Sequence, residues 1–436
     1  MKNNTIAIRH EDKYLMERRA AITPKHVKIL SEKGLNILVE SSEKRVFKSE
    51  EYAQAGAIIT NDISESPVVF GVKEMPLDIF EENKTYMFFS HTIKGQEYNI
   101  PLLKKMIEKK INLIEYEKVT DNEKRRLIFF GRFAGLAGMI NSFWSFGLRL
   151  KEKGIDTPFI NLKQSHKYDS LDEAKLAIKA VGEEIKKNGL PSGIEPLIIG
   201  ITGYGNVAKG AMEIADLLPI KEISPEELLE MSENNSFDKK AVYRVVFKEK
   251  HISKLKDGSS EFILQDYYSH PEKYENNLEQ YIPHLSILMN CMYWDDNYPR
   301  IITKSFLKEL YSKGEPKLKV IGDVTCDPDG SIEATHKGTE IEDPIFVYNP
   351  MTDTPTMGAK GDGILIMAVD ILPSELPMDA SIAFGDALLD FVPAIAACDY
   401  SVSFEDLKLP NPIKRALILH NGEFTPDFEY MKEFIK

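Results

Sequence analysis

Short apolar runs alternate with amphipathic stretches along most of this chain. Thr5–Arg9 predicts a strand. Thr23 is placed to cap a helix that starts with Pro24 at its first position, runs to about Lys33 and closes at Gly34. Leu35–Glu40, Ser66–Gly71, Thr85–Ser90 and Ile111–Glu117 read as further strands. Glu50–Ala55 and Ile100–Lys109 read as helices between them. This rhythm implies a parallel sheet with both faces covered.

The pattern changes near Arg125. Ala134, Gly135, Ala137 and Gly138 are small residues that let a helix, expected from about Ala134 to Lys151, pack closely on another backbone. A second helix is expected over Ser170–Asn188. An apolar run from Pro196 to Thr202 then meets Gly203 and Gly205 and passes into a helical pattern through Leu218: a strand, a tight turn and a helix. Pro219–Ser224 is the expected next strand, and Ser224 caps a helix with Glu226 and Glu227 in its first turn. The stretch Glu226–Pro283 is charged and less regular and reads as a surface insertion. Strands follow at Leu285–Met292, Leu318–Asp323 and Ile345–Asn349, with an apolar Gly363–Ile371. Helices are expected at Thr303–Tyr311 and Asp379–Ala397, the latter returning to the first domain.

Composition narrows the function classes. The chain has 436 residues, 43% hydrophobic and 28% charged, enough for two or three domains with sizeable cores. Its net charge of −13 argues against a nucleic-acid partner, which needs a basic face. No apolar run is long enough to span a bilayer. Met1–Arg9 has neither signal nor transit composition, so a cytoplasmic location is expected. Cys291, Cys326 and Cys398 are far apart and set among apolar residues. They read as buried thiols, with no disulfide frame and no metal site.

The candidate chemistry sits at strand ends. Gly203, Tyr204, Gly205, Asn206 and Val207 form a turn where a pyrophosphate can approach the backbone and a helix start. Gly210 stands one residue late for the usual third glycine. A ribose-binding acid belongs near the end of the following strand, where Glu222 is the nearest candidate but fits the pattern poorly. A missing acid favours the 2′-phosphorylated cofactor, and Lys221 would then matter. Lys73 and His91 each follow a predicted parallel strand, where open α/β sheets place their ligands. Either alone is more often a solvated or turn-tying residue. Together with Arg18 and Arg19 they would make a carboxylate-binding, acid–base site. Asp323 and Asp327 follow a late strand on the nucleotide side.

These segments resemble the lysine–2-oxoglutarate reductase half of the bifunctional aminoadipic semialdehyde synthases, in the superfamily of alanine dehydrogenase, proton-pumping transhydrogenase and fungal saccharopine dehydrogenase. The carriers are I-R-H-E-D (8–12), E-R-R-A-A-I-T-P (17–24), G-V-K (71–73), Y-M-F-F-S-H-T-I-K (86–94), Y-E-K (116–118), F-G-R-F-A-G-L-A-G-M-I (130–140), T-G-Y-G-N-V-A-K-G (202–210), D-I-L-P-S-E-L-P (370–377) and F-G-D (384–386). The resemblance implies an α/β fold of two Rossmann-like lobes with parallel sheets and a cleft between them. Residues 1–133 with 375–436 would form the substrate domain. Residues 134–374 would form the dinucleotide-binding domain, with an irregular insertion near 226–283. It further implies Lys73 and His91 as acid–base groups, and Arg19, flanked by Arg18, as a carboxylate binder. Glu74, Glu117 and Arg126 fall where saccharopine-handling relatives keep charged groups. Asp327 matches the aspartate beside the nicotinamide better than Asp323. The implied reaction joins L-lysine to 2-oxoglutarate with NADPH, NADH being the less favoured cofactor. A homo-oligomer is expected by analogy. The saccharopine-cleaving second enzyme is not represented, which suggests a stand-alone reductase. Two other readings stay open: an amino-acid dehydrogenase using ammonia, and a catalytically silent nucleotide-binding homologue.

Overall fold

The computed structural model describes residues 4–258 and 261–436. Positions 1–3, part of the N-terminal stretch read above, and 259–260, within the expected insertion, lie outside them. The chain folds as two units, one of residues up to Phe130 together with Pro377–Lys436, the other of Gly131–Leu376.

The first unit is built on β1 (Thr5–Ile8), β2 (Asn36–Glu40), β3 (Ile58–Thr60), β4 (Val68–Phe70), β5 (Thr85–Phe88) and β6 (Asn112–Glu115). They lie side by side as β3-β2-β1-β4-β5-β6, all parallel, and an antiparallel hairpin (Leu417–His420, Glu423–Phe424) continues the sheet beyond β6. Ile8 pairs with Phe70, Phe70 with Met87 and Met87 with Ile114, so the four central strands finish level. Their side chains (Ile6, Ile8, Val69, Phe70, Met87, Phe88, Leu113 and Ile114) are buried, as covered parallel strands require. Strand order reverses between β1 and β4, and the segments leaving those two strands meet at one edge.

The second unit carries β7 (Leu197–Thr202), β8 (Ile220–Glu222), β9 (Val242–Phe247), the separate ribbon of β10 (Ser253–Leu255) and β11 (Tyr274–Asn276), then β12 (Ile287–Asn290), β13 (Val320–Asp323), β14 (Ile345–Asn349), β15 (Thr354–Met357) and β16 (Ile364–Met367). Its sheet runs β15-β14-β16-β13-β12-β7-β9-β8, parallel from β16 to β8. The long helix Gly131–Glu152 begins three residues before the expected Ala134. A Cβ on its Gly135 would lie 1.9 Å from the carbonyl oxygen of Val207, and one on Gly210 would lie 2.1 Å from that of Arg132. The displaced glycine is therefore a packing residue that lets the helix Asn206–Ala215 sit backbone to backbone on the long helix. Arg149, buried on the same helix, donates to the carbonyls of Ala359, Gly361 and Gly363 at 2.6–2.8 Å and so holds the glycine-rich loop.

Two expectations change. The stretch read as an irregular insertion contains β9, a strand with a neighbour on each side, next to the glycine-turn strand. The helix expected over Asp379–Ala397 is two, Pro377–Leu388 and Val392–Ala397, because Pro393 has no N–H to continue the first. Among the described residues no helix is long and apolar enough to cross a membrane, and no His, Cys, Asp and Glu group could hold a metal ion.

Candidate active site

In the first unit two buried carboxylates organise the edge where β1, β4, β5 and β6 end. Glu11, just past β1, accepts the backbone N–H groups of Val72 (2.7 Å) and Lys73 (2.8 Å), fixing the loop after β4. Glu115, the last residue of β6, accepts from the N–H (2.8 Å) and hydroxyl (2.5 Å) of Ser90, fixing the loop after β5. Burial pushes both carboxyls up to about 7, against the hydrogen bonds they accept; the charge of Glu17 adds to the rise at Glu11.

Those loops present the predicted acid–base groups. His91 sits at φ +51°, a left-handed turn tied by the Asn99 amide donating to its carbonyl (3.1 Å). Its Nδ1 lies 2.7 Å from Glu74 Oε1, and Lys13 Nζ lies 2.6 Å from the same oxygen. Burial alone would raise the Glu74 carboxyl; the hydrogen bonds and charges of His91 and Lys13 outweigh it and hold the group down at about 2. Glu74 Oε2 is buried with no hydrogen-bond partner among the described residues. Lys73, next in the chain, has its ammonium 5.8 Å from the centre of the Tyr14 ring. Burial raises the Glu17 carboxyl, but the Arg19 ion pair and the charge of Lys73 bring it below the usual carboxylate range.

Arg19 is buried. It pairs with Glu17 through Nε (2.8 Å) and Nη2 (2.6 Å), and its guanidinium lies 4.1 Å from the centre of the Phe130 ring. Phe130 stacks in turn on Phe384 at 4.5 Å. Arg18 turns aside to the carbonyl of Lys44 (3.4 Å). Arg126 pairs with Glu117 at 3.1 Å, and Glu117 donates its N–H to Glu115. The structure thus gathers His91, Glu74 and Lys13 into one charged group and Arg19 and Glu17, within reach of the charge of Lys73, into a second, with both lysines near the Tyr14 ring; Arg18 belongs to neither. Glu11, Lys13, Glu17 and Glu115 were not singled out from the sequence. The first three lie within or beside the I-R-H-E-D and E-R-R motifs and could have been flagged there.

In the second unit, Gly203 follows β7 at φ +82°, and nothing lies within 4 Å of where a Cβ on Gly205 would stand. The helix from Asn206 then aims its first N–H groups at that space, with Val207 in its first turn. A cavity of about 320 Å³ opens there, lined by Gly203, Tyr204, Gly205, Met292 and a group of tyrosines. This backbone cradle fits the pyrophosphate of a dinucleotide. Glu222 is not beside it. It ends the edge strand β8, with β9 between it and β7, and pairs with Arg244, which also holds Asp216. Lys221 is taken by Asp238 (2.8 Å). Asp323 is buried and accepts from Thr335 (2.7 Å), Thr325 (2.7 Å) and Asn290 (2.8 Å), while Asp327, four residues on, is exposed. Of the two aspartates, Asp323 is an internal brace and Asp327 lies at the surface.

Residues 7–137 match the family described as Alanine dehydrogenase/PNT, N-terminal domain. The chain is 38% identical to an alpha-aminoadipic semialdehyde synthase of Arabidopsis thaliana over 100% of its own length and 42% of that protein's. It is 36% identical to the mitochondrial alpha-aminoadipic semialdehyde synthase of Mus musculus over 98% of its own length and 47% of that protein's. It therefore spans less than half the length of these relatives. Among solved structures, an L-alanine dehydrogenase matches 99% of this chain and 100% of its own with a TM-score of 0.58 at 15% identity, which shows the shared fold. Along its length the chain is thus similar to part of the alpha-aminoadipic semialdehyde synthases, its residues 7–137 match the alanine dehydrogenase/PNT N-terminal domain, and its fold is shared with L-alanine dehydrogenase.

Proposed function

We propose that this relative of the semialdehyde synthases joins L-lysine to 2-oxoglutarate and reduces the product to saccharopine. The observation that carries the reading is the His91–Glu74 pair, 2.7 Å apart, beside Lys73 at the sheet edge where the segments leaving β1 and β4 meet. The lysine ε-amine adds to the keto carbon, a C–N bond forms, and the carbinolamine loses water to an imine. A reduced nicotinamide, when bound, would supply a hydride for the imine carbon, and a proton taken up at the nitrogen completes the secondary amine. Each of the first two steps moves a proton. His91, with Glu74 fixing one ring nitrogen, is suited to carry it, and Lys73 stands beside it. Glu74 Oε2, buried and unpartnered, is an acceptor for a substrate ammonium. Arg19 offers the remaining edge of its guanidinium to a carboxylate.

A spectrophotometric assay with NADH and NADPH tests this. Cofactor consumption should require lysine and 2-oxoglutarate together. Consumption with a keto acid and ammonia alone would assign an alanine dehydrogenase-like activity instead. Lys73→Met and His91→Gln should each lower turnover at least tenfold with the fold intact. Unchanged turnover in both would reject the acid–base assignment.

A further inference from the structure

A second cavity in the Gly131–Leu376 unit, of about 410 Å³, lies away from the glycine turn. Leu190 and Pro191, in its wall, belong to the segment that leads into β7, whereas Gly203 follows that strand, so the six residues of β7 separate the two places. Asp156, Thr157 and Pro158 line it from the loop after the long helix, and Glu184 from the last turns of the helix Leu171–Asn188. No lysine, arginine or histidine lines it among the described residues. Thr157 is only 6% exposed, and its Oγ1 is buried with no hydrogen-bond partner among the described residues. It opens the short turn Pro158–Asn161 without capping it, so the hydroxyl is left over for an occupant of the cavity it lines. Asp156 is held through Oδ1 by Lys151 (2.7 Å), while Glu184 has no ion pair among the described residues. The Leu190 N–H, which would close the helix onto the Lys186 carbonyl, donates instead to the Lys239 carbonyl (2.8 Å). The negative end of the helix dipole is therefore left open one turn from Glu184, and the Lys186 ammonium is turned to Glu183 (2.8 Å).

We propose that this cavity binds a small primary alkylammonium, its N–H groups donating to the Glu184 carboxylate and the Thr157 hydroxyl and its alkyl body lying on Pro158, Leu190 and Pro191. A carboxylate, a hydroxyl oxygen and helix-end carbonyls are all acceptors, and an ammonium brings three donors and the opposite charge. An anion would meet two carboxylates with no lining cation to offset them. A metal ion is a poor match too, because no group of His, Cys, Asp and Glu among the described residues could hold one.

Isothermal titration of the full chain with n-butylammonium chloride, without substrates, tests the proposal apart from turnover. Tetramethylammonium chloride serves as a cation of equal charge with no N–H to donate. The wild-type chain should bind n-butylammonium saturably and at least tenfold more tightly than tetramethylammonium. Glu184→Gln and the near-isosteric Thr157→Val should each weaken that binding at least threefold, and Thr157→Ser, which keeps the hydroxyl, should recover most of the loss. No saturable binding, equal affinity for the two cations, or an affinity unmoved by both Glu184→Gln and Thr157→Val would overturn it. So would binding that is lost in Glu74→Gln and kept in the two cavity variants, which would put the amine in the first unit.

Discussion

At the scale of single residues, the carboxylates that brace the site differ in sign from the one that serves it. Glu74 lies low, at about 2, because burial is outweighed by His91 and Lys13. Its contribution to stability is full above the ordinary carboxylate range and is lost only in strong acid. Glu11 and Glu115 lie high, at about 7 against an ordinary 4.5. From about 4.5 to 7 the folded chain therefore holds protons that the unfolded chain releases. Stability should fall as pH rises through that window and level off above it. Urea midpoints followed by far-UV circular dichroism, which includes the first unit, should be higher at pH 6 than at pH 8. Glu115→Gln should flatten the slope, since the amide cannot ionise, and should lower stability at pH 6, because its NH₂ opposes the N–H of Glu117 or Ser90. A slope that the substitution leaves unchanged would show that Glu115 is not the group responsible.

Elements explain why some of this was legible in the sequence and some was not. The strand, turn and helix around Gly203 were readable because the apolar run, the glycines and the helical period are local signals. So were the loops bearing Lys73 and His91, since each follows a short apolar strand. Strand β9 was hidden because V-Y-R-V-V-F lies in a charged stretch, and its place between β7 and β8 is decided by the sheet and not by chain order. Glu11 and Glu115 were missed for the same reason: β1, β4, β5 and β6 meet only in the folded sheet. The late glycine was noticed but its purpose was not, because that purpose is the backbone of another helix. Replacing Gly135 or Gly210 by alanine sets a Cβ about 2 Å from a backbone oxygen that has no rotamer to escape into. Each should cost about 1–3 kcal/mol or more, seen as a lower urea midpoint. Each should also weaken dinucleotide binding, because the displaced helix carries the N–H groups of the turn. An unchanged midpoint in both would mean that the two helices are not held at this spacing.

For the whole molecule, the position of the tryptophans makes ligand coupling measurable. The chain has two, Trp144 and Trp294, and both fall in the Gly131–Leu376 unit. Trp294 is buried with its indole N–H donated to the Pro299 carbonyl (3.1 Å), and it adjoins Tyr293 of the glycine-turn cavity. Tryptophan emission therefore follows the second unit, while far-UV circular dichroism follows both. Each unit has its own sheet and its own buried strands. A ligand held only by the second unit stabilises that unit by about 2.7 kcal/mol at a hundredfold excess over its dissociation constant. Adding NAD⁺, which does not absorb tryptophan emission, should raise the thermal midpoint read by emission by a few degrees. The circular dichroism trace should then broaden or split, its first-unit portion staying where it was. Equal shifts by both probes would show that the units melt as one cooperative body. No shift by either, at NAD⁺ concentrations that saturate a binding titration, would place the dinucleotide away from the fold built on the glycine turn.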